Sequence, residues 1–369
     1  MDNSFLPIVN DKRRMVPLLE LLQSECAFYL CLGSTLTSDI EGISAAGSTP
    51  QFRRLTPAAD AEALVLGHTK ALDRLPVSPL GVVSPVVITR ACLQLANIAP
   101  QVVNCGAFIP PQIPHLTAGD CPAQSVSTGR AMTLNAVIRL FGKGFDFGIK
   151  ESANQRPMII AECVPGGTTT ALGVLLALGY SAQDALSGSI PNCNHEMRIG
   201  LVEQGLWQAG IQTPNSNPFE ILAAVGDPMQ PFVLGMTLAA CQNTSVILAG
   251  GSQMLAVYAL CAALAADYGI EIETSKIGVI TTKWVAFDKY ARIADLSKQI
   301  GAPLAAASPN FSLSTHPGLQ AYEAGNVKEG VGAGASMALA YQVLEQNCEL
   351  LMGKIDQSYD DMVGRLCSA

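Results

Sequence analysis

Residues 326–335 place a single glutamate among glycines, directly before an apolar helical stretch at residues 336–344. With so little side-chain cover of its own, Glu329 can face a ligand bound above it. An apolar ligand there raises the pKa of a carboxylate toward the value that a general base needs at neutral pH. Glu329 is therefore the candidate catalytic base. The alternative is that it is simply an acidic residue at a helix start, where the helix dipole favours negative charge.

A second segment, residues 162–170, reads Glu-Cys-Val-Pro-Gly-Gly-Thr-Thr-Thr between a β-like run and a helical stretch. Glycine lets the backbone turn sharply and approach a ligand closely, and the first amides of a helix favour an anion. The loop has neither the Gly-Lys-Thr of a Walker A motif nor a dinucleotide fingerprint. It predicts a phosphate site, although a threonine helix cap after a tight turn gives the same pattern.

Three further segments have the character of turns beside apolar runs. They are Ser-Thr-His-Pro-Gly at residues 314–318, Gly-Asp-Pro-Met-Gln-Pro at 226–231 and Ala-Gly-Gly-Ser-Gln at 249–253. His316 is a catalytic candidate, but a histidine in a Pro-Gly turn is more often structural. The strand–glycine–helix pattern recurs along the chain, and this repetition favours a nucleotide site over coincidental turns.

The elements that must position these residues are short β-like runs that alternate with longer helical ones. Strands are predicted at residues 27–32, 101–104, 158–161, 245–249, 278–281 and 303–307. Most precede Gly, Pro or Ser and then a helical pattern, which predicts an α/β fold with a mostly parallel, Rossmann-like sheet and helices on both faces. Ligands gather at the carboxyl ends of such strands, where the candidate loops lie.

Two stretches are less regular. Residues 109–130 are rich in proline and poor in helix formers, so they predict a long surface loop or lid. Residues 187–197 predict a polar loop before a helix that begins near Arg198. No linker or internal repeat divides the chain, so residues 1–369 are expected to form one unit.

The composition excludes several classes of function. The net charge is −8 and Lys and Arg form no dense cluster, which argues against a nucleic-acid partner. The longest apolar stretch, residues 232–266, is interrupted twice, so its pieces are shorter than the ~20 residues that a membrane span needs. The first part of the chain lacks a signal-peptide core, which predicts a cytoplasmic protein. The 11 cysteines are scattered without a C-x-x-C pair, so free thiols and no metal site are expected.

Together these motifs resemble the nicotinate-nucleotide–dimethylbenzimidazole phosphoribosyltransferase family of cobalamin biosynthesis, and within it a divergent branch. The loop at residues 162–170 is similar to the family's Glu-Met-Gly-Ile-Gly-Asn-Thr-Thr loop, which contacts the nucleotide phosphate. Residues 328–334 are similar to Leu-Gly-Glu-Gly-Thr-Gly-Ala, whose glutamate is the catalytic base, and Glu329 takes that position. The likeness extends over residues 155–345.

The resemblance implies roles for individual residues and for the whole chain. Nucleotide and phosphate contacts are expected from Glu162, Gly166, Gly167, Thr168, Thr169, Arg198, Ser314 and Gly318. Ser84, Gly330 and Gly332 are expected on the base side, where the match is weaker. The implied fold is a three-layer α/β/α core at residues 25–335, with a small helical subdomain from residues 1–24 and 336–369. A homodimer is also implied.

The sequence departs from the family pattern at several positions. Thr168 stands where the phosphate loop has Asn, and Arg198 stands where a helix has a phosphate-binding Lys. A strand that ends in Asp-Gly-Phe in the family ends here in Ala249-Gly250-Gly251, so a carboxylate is missing.

The reaction that the resemblance implies is transfer of the ribosyl phosphate of nicotinate mononucleotide to dimethylbenzimidazole or a purine such as adenine, in cobamide nucleotide-loop assembly. It requires no cofactor and no metal. Two alternatives stay open, a nucleotide-binding regulatory protein without transfer activity and a glycohydrolase in which water replaces the base. A transferase needs an apolar slot beside Glu329, whereas a hydrolase needs only a small wet one, and the sequence does not show the slot.

Overall fold

The computed structural model describes residues 4–23, 25–190, 194–214, 216–269 and 272–363. The strands are β1 (Ile8–Asn10), β2 (Ala27–Gly33), β3 (Gln101–Gly106), β4 (Leu116–Thr117), β5 (Met158–Cys163), β6 (Val246–Ala249), β7 (Ile277–Thr282) and β8 (Leu304–Ala307). The helices are α1 (Lys12–Glu20), α2 (Pro50–Leu66), α3 (Val86–Leu95), α4 (Leu134–Ser152), α5 (Gly167–Ala177), α6 (His195–Ala209), α7 (Pro218–Val225), α8 (Met229–Ala240), α9 (Ser252–Tyr268), α10 (Lys283–Ala286), α11 (Ile293–Ile300), α12 (Pro317–Glu323), α13 (Ala333–Val343) and α14 (Cys348–Val363).

The strands form one sheet in the order β1-β8-β7-β6-β5-β2-β3-β4. Neighbouring strands are parallel, except that the short strand β1 pairs antiparallel with β8. After β2 the chain moves outward to β3 and β4, and after β5 it moves outward in the other direction to β6, β7 and β8. The strand order therefore reverses between β2 and β5, and ligands bind at such a point in open α/β sheets.

The predicted fold class, an α/β fold with a mostly parallel sheet, is confirmed, and a strand is present at each of the predicted runs. Strands β1 and β4 were not predicted, because three and two residues are too few to show a pattern. Strand β4 pairs with β3 and lies within residues 109–130. The predicted surface loop or lid is thus in part an edge of the sheet.

Helices cover both faces of the sheet, and side chains along each strand alternate between them. On β5, Met158 and Ile160 belong to one buried cluster, and Ile159 and Ala161 belong to the other. The first cluster packs against α4–α9 and α11, and the second packs against α1–α3, α13 and α14. Because both faces are buried, the strands are continuous apolar runs.

The helices near the two ends of the chain lie in this second layer. Met15 and Leu18 of α1 pack on Gly278 of β7. Helix α13 lies so close to the sheet that Gly334 contacts the backbone of Thr281. The segments expected to form a terminal subdomain therefore also cover the sheet. Of those segments, residues 1–3, 24 and 364–369 lie outside the described residues.

Helices α4 and α8 pack backbone against backbone. A Cβ atom at Gly144 would overlap the carbonyl oxygen of Phe232, and one at Gly148 would approach that of Met236. Glycine at both positions therefore permits this close contact.

Replacing Gly144 by alanine should destabilise the protein by about 1–3 kcal/mol, because the added methyl group overpacks the contact between α4 and α8. The matched control is Gly200→Ala in α6, where a Cβ atom meets open space and alanine should stabilise the helix by up to about 1 kcal/mol. Urea-denaturation midpoints followed by circular dichroism measure both effects. Equal effects of the two substitutions would contradict the packing argument.

Candidate functional site

An open cleft lies at the carboxyl ends of the central strands, beside the point where the strand order reverses. It has about 890 Å³ of empty space, including the part that opens to solvent. Its walls come mainly from stretches within residues 43–47, 76–85, 162–168, 187–189, 251–253 and 327–331. The Glu329 segment, the glycine loop and the Gly-Gly-Ser-Gln segment therefore meet in one place.

Glu329 lines this cleft from the loop between α12 and α13. Its Oε2 accepts a hydrogen bond from the Thr281 hydroxyl at 3.1 Å. Its Oε1 accepts from the amides of Gly330 and Gly334, each at 3.2 Å. Gly334 belongs to the first turn of α13, so the carboxylate also caps this helix. Glu329 therefore both caps the start of α13 and lines the cleft.

Burial gives the two carboxyls of the cleft an unusual ionisation. Loss of solvent raises the pKa of Glu329 to about 7, although hydrogen bonds from Gly330, Gly334 and Thr281 act in the opposite direction. Burial, followed by the charge of Glu329, raises the pKa of Glu162 to about 8. At neutral pH Glu162 is therefore mostly protonated while Glu329 is partly ionised, which suits a general base.

The loop that carries Glu329 has a strained backbone. Val327, Lys328 and Val331 have left-handed φ angles of 64°, 68° and 54°, which bulky and β-branched residues rarely adopt. The Thr282 hydroxyl donates to the Lys328 carbonyl at 2.7 Å, and the Val331 amide donates to the Glu162 carbonyl at 3.0 Å. These bonds hold the loop in its strained form, and such strain is concentrated at functional sites.

The glycine loop enters α5 at Gly166, whose φ of 82° favours glycine. Gly166 and Thr168 line the cleft, so the first turn of α5 reaches it. Gly167 instead packs on Gln253 of α9, where a Cβ atom would overlap the side-chain amide. Thr169 is completely buried. Of these four predicted phosphate-loop residues, two reach the cleft and two support its wall.

Lys328 supplies a positive charge that the motif comparison did not assign. Among the described residues that line the cleft, it is the one Lys or Arg. Its ammonium group lies 2.6 Å from Asp288 Oδ2 and 3.4 Å from the Ser187 hydroxyl. Burial alone would raise the pKa of Asp288, but the hydrogen bonds from Lys328 and Ser187 outweigh it and hold that pKa below its usual value. The pair is therefore ionic.

The sequence carried one signal for this lysine. Lys328 stands directly before Glu329, where the family motif has glycine. Its left-handed φ of 68° is a conformation that glycine adopts without strain.

Three residues expected at the phosphate lie outside the cleft. Arg198 is buried within α6. The Ser314 hydroxyl donates to Asp356 of α14 at 2.6 Å, and Gly318 packs against Tyr359 of the same helix. Helix α14 therefore covers the turn that was expected to bind phosphate, and the cleft lining includes Lys328 but not Arg198.

The base-side residues fall into two groups. Ser84 lines the cleft, and Pro85 after it packs beside Gly330, which is also on the wall. Gly332 lies beneath the wall, where a Cβ atom would approach Ala161 of β5 to 2.7 Å. The segment that carries Ser84 thus lies next to the Glu329 loop.

The two irregular stretches differ in their relation to the cleft. The polar loop contributes Ser187, Gly188 and Ser189 to the wall, and its residues 191–193 lie outside the described residues. The helix after it begins at His195 rather than near Arg198. No described residue of the 109–130 stretch lines the cleft.

Two general features concern the whole part of the chain that the structure describes. None of its helices is long and apolar enough to cross a membrane. Nor do three or more His, Cys, Asp or Glu side chains of that part come together in a group that could hold a metal ion.

Known proteins match this chain along most of its length. Residues 90–274 match the model of a family described as phosphoribosyltransferase. A UPF0284 protein of Microcystis aeruginosa is 47% identical over 309 residues, which cover 83% of this chain and 85% of that protein. A UPF0284 protein of Gloeobacter violaceus is 44% identical over 337 residues, which cover 90% and 87%.

Solved structures share the fold. The nicotinate-nucleotide–dimethylbenzimidazole phosphoribosyltransferase of Thermus thermophilus matches with a TM-score of 0.59 and 15% identity, over 96% of this chain and 92% of that one. A structure of CobT from the same organism gives a TM-score of 0.60 and 16% identity, over 97% and 95%. The family predicted from the motifs is confirmed: this chain belongs to the phosphoribosyltransferase family of the nicotinate-nucleotide–dimethylbenzimidazole type, in its UPF0284 branch.

Proposed function

We propose that this protein transfers the phosphoribosyl group of nicotinate mononucleotide to a benzimidazole or purine base and releases nicotinate. The observation that carries the proposal is the carboxyl of Glu329, which lines an open cleft and whose pKa is raised to about 7 by burial. The product is an α-ribotide, which serves the assembly of a cobamide nucleotide loop.

The reaction needs one proton acceptor and two aligned reactants. The bond from C1′ to the pyridinium nitrogen breaks, and its electron pair returns to the ring, so nicotinate leaves without help from an acid. One nitrogen of the base forms the new bond to C1′ from the opposite face, and the proton on its other nitrogen passes to Glu329. Holding both reactants in line contributes on the order of 7–11 kcal/mol.

The walls near Glu329 support transfer to a base rather than to water. Val331 belongs to the Glu329 loop and Pro85 packs beside Gly330, and the same cleft is also lined by Pro76, Val77 and Val82. A flat heterocycle gains roughly 25 cal/mol for each Å² of apolar surface that it buries between such walls. A glycohydrolase needs no apolar slot, so this lining favours the transferase.

We assign the nucleotide phosphate to the first turn of α5 and to Lys328. Amides at a helix N-terminus favour an anion, and Gly166 and Thr168 bring this turn to the cleft. Lys328 adds positive charge, part of which Asp288 neutralises. Phosphate binding in this proposal therefore depends on backbone amides as well as on the lysine.

The test of the function is nicotinate release from nicotinate mononucleotide, measured by chromatography with and without dimethylbenzimidazole or adenine. Release that depends on a base, together with an α-ribotide product, is expected. Glu329→Gln should lower that rate by roughly 10²–10⁴-fold while nucleotide binding is nearly unchanged, because only the proton acceptor is lost. The matched control is Glu349→Gln, which removes a carboxylate from the first turn of α14 and leaves the cleft intact.

Other outcomes identify the alternatives. Release without any base would indicate a glycohydrolase, and nucleotide binding without release would indicate a regulatory protein. Weakened nucleotide binding with continued turnover in Glu329→Gln would contradict the assignment of this residue as the base.

The pH dependence follows from the two raised pKa values. Glu329 must be ionised to accept a proton, so kcat/KM should fall as the pH decreases below about 7. Above about pH 8, Glu162 loses its proton and adds a negative charge to the cleft, so the KM for the nucleotide should rise. In Glu162→Gln, the fall of kcat/KM at low pH should remain (the acid limb), whereas the rise of KM above about pH 8 should disappear. An acid limb that moves in this variant would contradict the assignment to Glu329.

We also propose that the protein is a homodimer that associates through α4. One face of this helix packs on α8 through Gly144 and Gly148, and an adjacent face presents a stripe of partly exposed apolar side chains. The stripe consists of Leu134, Ile138, Phe145 and Ile149, which are 39–51% exposed. Their spacing places them on one helix face, and burial of such a face favours association.

Ile138→Asp combined with Ile149→Asp should shift the protein from dimer to monomer, because charges would be buried in the association surface. Analytical ultracentrifugation measures the shift. The control is Leu313→Asp, at an apolar residue that is 77% exposed elsewhere on the molecule. A wild-type protein that sediments as a monomer, or a dimer that survives both changes, would contradict this surface.

A further inference from the structure

Asp60 is a buried carboxyl in the cleft to which neither the motifs nor the proposed mechanism gives a role. It lies in the middle of α2, is 3% exposed and lines the same cleft as Glu329. The Cys163 thiol donates to its Oδ2 at 3.4 Å. None of the described residues forms a hydrogen bond with its Oδ1.

A carboxyl oxygen without a partner is costly in the interior of a protein. Burial raises the pKa of Asp60 to about 7, although hydrogen bonds from Ser84 and Cys163 act in the opposite direction. The group is therefore held in an environment that favours any hydrogen-bond donor able to reach Oδ1.

The position of Asp60 relates it to the base side of the cleft. Ser84 lies next to its carboxyl, and the following residue, Pro85, packs beside Gly330 in the Glu329 loop. Asp60 and the Glu329 loop therefore both lie beside the segment formed by Ser84 and Pro85, in the wall of one cleft. In the proposed complex, a bicyclic base with one nitrogen at Glu329 would extend its six-membered ring along this wall, which includes Asp60.

We propose that Asp60 Oδ1 accepts a hydrogen bond from an amino or hydroxyl group on the six-membered ring of the acceptor base, and so selects bases that carry such a donor. This inference rests on the proposed function, because it assumes that a base occupies the cleft. It makes 6-aminopurine a better acceptor than a base with methyl groups on that ring. A methyl group there would leave Oδ1 without a partner, and sites built to bind a donor discriminate strongly against analogues that lack it.

The test measures binding of matched bases, which does not require turnover. Equilibrium dialysis compares adenine with purine, and 5-hydroxybenzimidazole with 5-methylbenzimidazole. The wild-type protein should bind the donor-bearing member of each pair roughly 10- to 100-fold more tightly, as expected for one hydrogen bond to a charged group. Asp60→Val should reduce this preference to less than about 3-fold, because it removes the acceptor and keeps most of the volume.

Two further variants guard against trivial explanations. If the valine variant does not fold, Asp60→Asn takes its place, because asparagine keeps the shape of the side chain. Its neutral oxygen should lower the preference several-fold. Thr56→Val, one turn earlier on α2, should leave the preference unchanged. The Thr56 hydroxyl already donates to the carbonyls of Ala46 and Phe52, at 2.8 and 3.0 Å.

The outcomes separate this inference from the proposed function. Equal affinities within each pair, no binding of any base, or a preference that survives both Asp60 variants would overturn the role of Asp60. Base-dependent nicotinate release without such a preference would overturn it while leaving the transferase intact. An Asp60-dependent preference in binding, with no nicotinate release from any base, would support the subsite and overturn the transferase.

Discussion

The rest of the cleft depends on one constraint. It is the position of the Glu329 carboxyl at the N-terminus of α13, in a loop with a strained backbone. Helix α13 can begin there only because Gly334 lies directly against the backbone of Thr281 on β7. That contact brings the Thr281 hydroxyl and the Gly334 amide to opposite oxygens of one carboxylate. A side chain at position 334 would lift the helix from the sheet, and both hydrogen bonds would be lost together.

Burial of the carboxyls of Glu329 and Glu162 reduces the stability of the folded protein. In the folded protein the pKa values of Glu329 and Glu162 are about 7 and 8, above the usual value for Glu. At pH values between the usual pKa and these raised ones, the folded chain therefore binds more protons than the unfolded chain. Stability from these two groups is therefore greatest at low pH and declines as the pH rises through their folded pKa values. A sheet that is buried on both faces supplies the apolar burial that offsets this cost. In the proposed mechanism, the carboxyl that accepts a proton near neutral pH is therefore one that the fold would be more stable without.

The sequence predicted the framework of this molecule better than its site. Continuous apolar runs identify the strands because both faces of the sheet are buried, and glycines beside Glu329 identify a loop that can approach a ligand. Ser314 and Gly318 could not be placed in this way, because their surroundings depend on α14, which follows more than thirty residues later in the chain. Asp60 was also missed, since it lies within a helix whose local pattern gives no indication that one side chain points into a cleft. Both failures concern contacts between distant segments, which local pattern does not encode.

In the proposed mechanism, Lys328 and Glu329 combine two functions in one short loop. The family pattern draws the phosphate-binding cation from the helix that corresponds to α6, whereas here Arg198 is buried in that helix. The basic residue that lines the cleft is instead Lys328, next to Glu329. Two consecutive residues with fixed backbone angles cannot move independently, so the ion pair of Lys328 with Asp288 also fixes the position of the carboxylate. In the proposed mechanism, a change in the loop that displaced Lys328 would displace the proton acceptor Glu329 as well, and this would couple nucleotide binding to the geometry of proton transfer.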